Sequence, residues 1–189
     1  MKPISALQYF SWSNFSKPTN DRVAYRAIKK HQFRSIVEIG LTAGVRCQRM
    51  IRIAQKYSDA PNVRYTGIDA FDGRDPSETP MKLIEMHRQL NGLGAKAQLV
   101  PGDFETTIER IANSHLRTDL LIVQRTDAED AFANEDFARA WKFLPRMLHA
   151  ASLVMVFYPN DEYEVFDFLD VESRCKEKSA AAGQAQRAA

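Results

Sequence analysis

Three short stretches carry side chains that could do chemistry together. The first is Val37-Glu38-Ile39-Gly40-Leu41-Thr42-Ala43-Gly44. Two glycines in such a turn let the backbone pass close to a ligand, and a helix that follows offers free N–H groups to an anion. The second is Gly67-Ile68-Asp69, which puts a carboxylate at the end of an apolar run. A carboxylate there can accept hydrogen bonds from both hydroxyls of a ribose. The third is Gly102-Asp103-Phe104. Its Asp can accept from the exocyclic amine of adenine while the ring covers the base. Each segment also has a plain structural use. Glycine serves many strand-to-helix turns, and Asp69 and Asp103 could simply cap helices.

The elements that must position these residues follow from two hydrophobic periods. Short apolar runs at Ser35–Ile39, Val63–Ile68, Gln98–Val100, Asp119–Val123 and Leu153–Tyr158 read as buried strands. Between them, Cys47, Met50, Ile51 and Ala54, then Leu83, Met86, Leu90 and Leu93, recur at helical spacing. Phe104, Ile108 and Ile111 mark the next helix, and Phe137, Trp141, Leu144 and Leu148 a fourth, kinked at Pro145. A leading helix starts at Asn20 or Asp21 and closes near Lys29, Lys30 and His31. A last helix is expected to start at Asn160 or Asp161. The alternation predicts an α/β protein with a doubly wound, mostly parallel sheet of about five strands. Such sheets bind ligands at the carboxyl ends of their strands, where all three stretches fall.

The chain of 189 residues predicts an N-terminal arm over 1–19, one α/β domain over 20–178 and a flexible tail over 179–189. A net charge of +2 gives no reason to expect nucleic acid or an anionic membrane surface as partner. Two distant cysteines, Cys47 and Cys175, make neither a disulfide framework nor a zinc pattern, and no apolar run is long enough to span a membrane. A cytoplasmic location is the expectation. Asp127, Asp130, Asn160 and Asp161 could offer oxygen ligands to magnesium or calcium. Helix caps and solvated loop acids account for them more simply, and no metal is expected. The aromatic residues Phe10, Trp12 and Phe15 suit core packing better than a lid.

The segments VEIGLTAG, YTGIDAFDG and GDF, with DLLIV and WKFLPRMLHAASLVMVF further on, resemble class I S-adenosylmethionine-dependent methyltransferases. The small-molecule O-methyltransferases among these are the most similar, and the likeness runs from about Asn20 to Asn160. The resemblance implies a Rossmann-like methyltransferase fold with S-adenosylmethionine as cofactor and a small-molecule methyl acceptor, methylated at oxygen. It also implies site residues. Glu38, Gly40, Thr42 and Gly44 would surround the methionine end, Asp69 and Ala70 the ribose, and Asp103 and Phe104 the adenine, with Gln124 at the end of the fourth strand.

Several residues depart from the family pattern. Thr42 replaces the middle glycine, where a left-handed backbone would cost about 1 kcal/mol. Gln124, Thr126 and Asp127 stand where Asp, Asp and His are common, and no catalytic residue is singled out. Ala150 and Ala151 replace a glycine pair, and the sixth and seventh strands of the fold are expected to be missing. An exposed sheet edge would then favour a homodimer. The departures support a second reading, a catalytically inactive binding or interaction module. A third, a nicotinamide dinucleotide enzyme, lacks its third glycine, and Asp69 falls further from Gly44 than the usual spacing of about 20 positions.

Overall fold

The computed structural model describes residues 3–42, 44–58, 63–77, 79–127 and 131–185, with side chains up to residue 177. Ala43, residues 59–62 and Asp130 lie outside the described residues. Six strands form one sheet: β1 (Ser35–Ile39), β2 (Arg64–Asp69), β3 (Lys96–Pro101), β4 (Leu120–Gln124), β5 (Leu153–Phe157) and β6 (Tyr163–Asp167). Their order is β3-β2-β1-β4-β5-β6. The first five run parallel, and β6 returns antiparallel along β5, with Phe157 opposite Tyr163 and Leu153 opposite Asp167.

The sixth strand corrects two expectations. Residues 163–167 extend the sheet where a helix was expected from Asn160 or Asp161. The tight return is made at Asp161, whose backbone is left-handed at φ 65°. The helix α8 begins only at Phe168 and runs to Ala185. The charged residues Asp161, Glu162 and Glu164 resembled a helix first turn, but Tyr163-Glu164-Val165-Phe166 alternates as an edge strand does.

The buried strands feed two apolar layers in alternation. Ile36, Leu120, Ile122, Met155 and Phe157 face one layer; Val37, Ile39, Leu121, Val123, Val154 and Val156 face the other. The first layer is covered by α1 (Ala6–Phe15), α2 (Asn20–His31), α3 (Val45–Tyr57) and α4 (Leu83–Asn91). The second is covered by α5 (Phe104–Ile111), α6 (Glu135–Trp141), α7 (Leu144–Met147) and α8. Pro145 sits in the first turn of the separate short helix α7 instead of kinking a continuous one. Residues 6–15 of the expected arm form α1. Ser5 accepts from the Gln8 N–H at 3.0 Å and Gln8 accepts from the Ser5 N–H at 2.8 Å, a reciprocal capping box. Trp12 packs on the first layer, whereas Phe10 and Phe15 are exposed and do not line the cleft described below.

Candidate functional site

Because β2 and β4 lie on opposite sides of β1, successive chain connections diverge at the carboxyl end of β1. A cleft of about 860 Å³ opens there. Gly40, Leu41 and Thr42 line it from the loop after β1, and Asp69 and Ala70 from the end of β2. Asp103 and Phe104 line it after β3, and Gln124, Arg125, Thr126 and Asp127 after β4. The three stretches singled out by chemistry therefore meet in one place. Glu38 and Gly44 are not among the lining residues.

The glycines set the shape of the first loop. Gly40 has φ 75°, its N–H donates to Ile68 O at 2.9 Å, and a Cβ on it would lie 2.9 Å from Gln124 Cβ. Gly44 has φ 73° and caps α3. Left-handed backbone thus falls on the glycines; Thr42 is not among the residues with positive φ, so the strain expected there does not arise.

Glu38 points the other way along the sheet, into the helix layer. Alternation places it on the face of Ile36, under α3. Its Oε1 accepts from Arg46 Nε at 2.6 Å and its Oε2 from the Tyr65 hydroxyl at 2.6 Å. Arg46 also meets Asp21 Oδ1 at 3.3 Å, Gln124 Oε1 at 2.8 Å and the Gly40 carbonyl at 3.1 Å. Only 1 % of the Arg46 side chain is exposed. Burial opposes its charge, yet Glu38 and Asp21 hold the guanidinium above the ordinary arginine range. Burial also raises the Asp21 carboxyl, with the Glu38 charge adding and Arg46 opposing. Tyr65 is held well above the ordinary tyrosine value by burial and by Glu38. Glu38 and Gln124 thus brace the floor of the cleft through one arginine. Arg46 left a trace in the sequence: a cation in the first turn of a helix opposes the dipole, which marks a residue with an anionic partner.

Asp69 is buried at the cleft wall. Its Oδ2 accepts from the Leu41 N–H at 2.7 Å and its Oδ1 from the Phe71 N–H at 2.9 Å. Arg74 adds two more bonds, Nε to Oδ1 at 2.6 Å and Nη2 to Oδ2 at 2.5 Å. Nothing in the spacing from Asp69 to Arg74 announces this pair. Asp103 caps α5, accepting from Thr106 N at 2.8 Å and Thr106 Oγ1 at 2.6 Å. Phe104 leans on Phe137, centroids 4.6 Å apart. Arg125 sits 5.1 Å over the Phe137 ring and pairs with Asp127 at 2.9 Å and Glu105 at 3.8 Å.

Among the described residues, no three His, Cys, Asp or Glu side chains gather as a metal site. Asp127 is paired with Arg125, and Asp161 Oδ1 accepts from the Thr19 N–H at 2.9 Å. Cys47 and Cys175 are both thiols, and Cys47 donates to the Gly44 carbonyl. No helix among the described residues is long and apolar enough to cross a membrane.

No protein-family profile matches this chain, and no curated protein matches it by sequence. Solved structures do. An O-methyltransferase from Streptomyces achromogenes, TomG, involved in tomaymycin synthesis and in complex with S-adenosylmethionine, superposes with TM-score 0.50 at 18 % identity, covering 82 % of this chain and 66 % of its own. An O-methyltransferase from Bacillus cereus in complex with S-adenosylhomocysteine gives 0.50 at 15 % identity, over 79 % and 62 %. A methyltransferase from Geobacter sulfurreducens gives 0.50 at 18 % identity, over 80 % and 67 %. The fold is that of the class I methyltransferases. The chain spans about two thirds of the length of these structures.

Proposed function

We propose that this chain binds S-adenosylmethionine in the cleft after β1 and transfers its methyl group to a small-molecule acceptor, at oxygen. The observation that carries the reading is the convergence of the Gly40, Asp69 and Asp103 loops on one cleft. Its volume lies within the roughly 300–1,000 Å³ that suits a compact organic ligand. The donor and acceptor set suits an adenosine. Asp69 and Ala70 stand where a ribose would lie, and Asp103 and Phe104 where an adenine would. Leu41 and Thr42 border the place left for the methionine end, with the N-terminus of α3 behind them. When bound, the cofactor supplies a methyl group already activated on sulfur. The task of the protein is then to align the acceptor and exclude water. Ser77, Thr79, Thr126 and Asp127 also line the cleft and add polar groups to it. TomG and the Bacillus cereus enzyme, crystallised with the cofactor or its product, support the assignment.

Gln124 and Thr126, lining the cleft after β4 where the resemblance leads one to expect acids, favour a second reading, a binding module without turnover. Calorimetry with S-adenosylmethionine and S-adenosylhomocysteine, followed by a methyl-transfer assay on a panel of phenols and catechols, separates the two. Binding with transfer supports the enzyme, and binding without transfer supports the module. Failure of both ligands to bind at millimolar concentration removes the cofactor from either account.

We also propose a cytoplasmic location, on the ground that the two cysteines are free thiols with no disulfide framework. We further propose a homodimer through β6, where Tyr163 and Val165 are exposed on the last strand of the sheet. Light scattering at high concentration tests the dimer, and a strictly monomeric mass rejects it.

A further inference from the structure

An ionised carboxylate offers about four lone-pair sites. Those of Asp69 are met by the Leu41 and Phe71 N–H groups and by two donors of Arg74. The Arg74 contact is fork to fork, and the side chains are only 4 % and 11 % exposed. A bidentate, charge-assisted pair held away from water is among the stronger polar contacts a protein makes. Arg74 also donates to the Leu41 carbonyl, and from Nη1 to the Thr79 carbonyl at 2.9 Å. One guanidinium therefore ties the loop after β1, the end of β2 and the segment before α4 across the cleft wall. Both backbone donors belong to the loop framework itself. Arg74, a side chain, is the partner that can leave.

We propose that Arg74 is an internal occupant of the ribose subsite and sets the affinity of the cleft for adenosine-type ligands. The inference rests on the cofactor reading above. A ribose diol reaches the Asp69 oxygens only when Arg74 gives them up, so ligand and arginine compete for one carboxylate. The arginine is thus an affinity-determining residue of the site, acting through Asp69.

The test uses the full chain with Arg74→Met, which keeps the apolar stem and removes every donor, and Arg74→Lys, which keeps a charge without the fork. Dissociation constants are measured by calorimetry for S-adenosylhomocysteine, adenosine and dideoxyadenosine, which lacks both ribose hydroxyls. The expected result is S-adenosylhomocysteine binding roughly tenfold or more tighter in Arg74→Met, from release of two charge-assisted bonds. Arg74→Lys should fall between Arg74→Met and wild type. Adenosine should gain, and dideoxyadenosine should gain much less. Equal or weaker S-adenosylhomocysteine binding by both variants, with wild type binding, overturns the competition and leaves the cofactor reading intact. An equal gain for adenosine and dideoxyadenosine also overturns it, because general loosening would act on both. If no form binds any of the three, the cofactor reading and this inference fall together.

Discussion

Replacing Arg46 by Met is the most informative single change to the frame beneath the cleft. The guanidinium is the common partner of Glu38 at 2.6 Å and Asp21 at 3.3 Å, and all three side chains are buried. Removing it leaves two carboxylates in a low-dielectric layer, with Glu38 keeping the Tyr65 hydroxyl and Asp21 a longer contact to the Tyr25 hydroxyl at 3.4 Å. Breaking a buried pair from one side costs about 3–5 kcal/mol. That is a large part of a typical folding free energy of about 5–15 kcal/mol. The bonds to Gln124 Oε1 and the Gly40 carbonyl go as well, so ligand binding should weaken together with the fold.

The sign of the pH dependence follows from the same groups. Burial and Glu38 already raise the Asp21 carboxyl while Arg46 opposes the rise. Without Arg46 the folded state holds protons that the unfolded chain releases. The variant should therefore lose stability as pH rises from about 5 to about 7. Urea unfolding at both pH values measures this. The triple variant with Glu38→Gln and Asp21→Asn should recover most of the loss. A loss below about 1 kcal/mol at neutral pH, or a pH slope equal to that of wild type, would refute the reasoning.

Three further changes test other parts of the frame. Gly40→Ala forces a side chain into left-handed backbone and against Gln124, so it should cost about 1–2 kcal/mol or more by denaturation and abolish binding of S-adenosylhomocysteine. Asp103→Ala removes the cap of α5 and should lower stability by about 1 kcal/mol; binding lost with unchanged stability would assign Asp103 wholly to ligand. His115 is half buried, its ring contacts Thr66 Oγ1 at 3.1 Å, and burial holds it below the ordinary histidine value. Its folded form binds fewer protons than the unfolded chain, so stability is lost as pH falls through about 6.5. His115→Asn should flatten thermal unfolding between about pH 7.5 and 5.5, and an unchanged profile would contradict this.

The central parallel strands were legible because they are buried on both faces, and β3, at the sheet edge, only through its short apolar run at Leu99 and Val100. The turns after them were legible because Gly40, Asp69 and Asp103 stand where those runs stop. The sixth strand was hidden by its charges, because Asp161, Glu162, Glu164 and Asp167 interrupt the continuous apolar run by which the central strands are read. Helix α1 has little apolar periodicity, and only Ser5 with Gln8 betrayed its start. The cleft was foreseen, but the company its acids keep was not. Arg46 and Arg74 reach Glu38 and Asp69 across turns whose geometry no spacing rule encodes. Arg22 and Arg26 likewise turn back to bond the Ser16 and Ser13 carbonyls, contacts that no spacing announces.

Those two arginines have a wider consequence. With Lys56 on the Ile4 carbonyl and Arg49 on Ser16, they rivet the first helix to the helix layer. The next bond in that seam joins Thr19 to Asp161, at the hairpin just beyond Pro159 on the cleft rim. The opening segment therefore works as a clasp, closing the early part of the chain onto its last hairpin. Trimming it away would release the rim of the cleft as well as a helix.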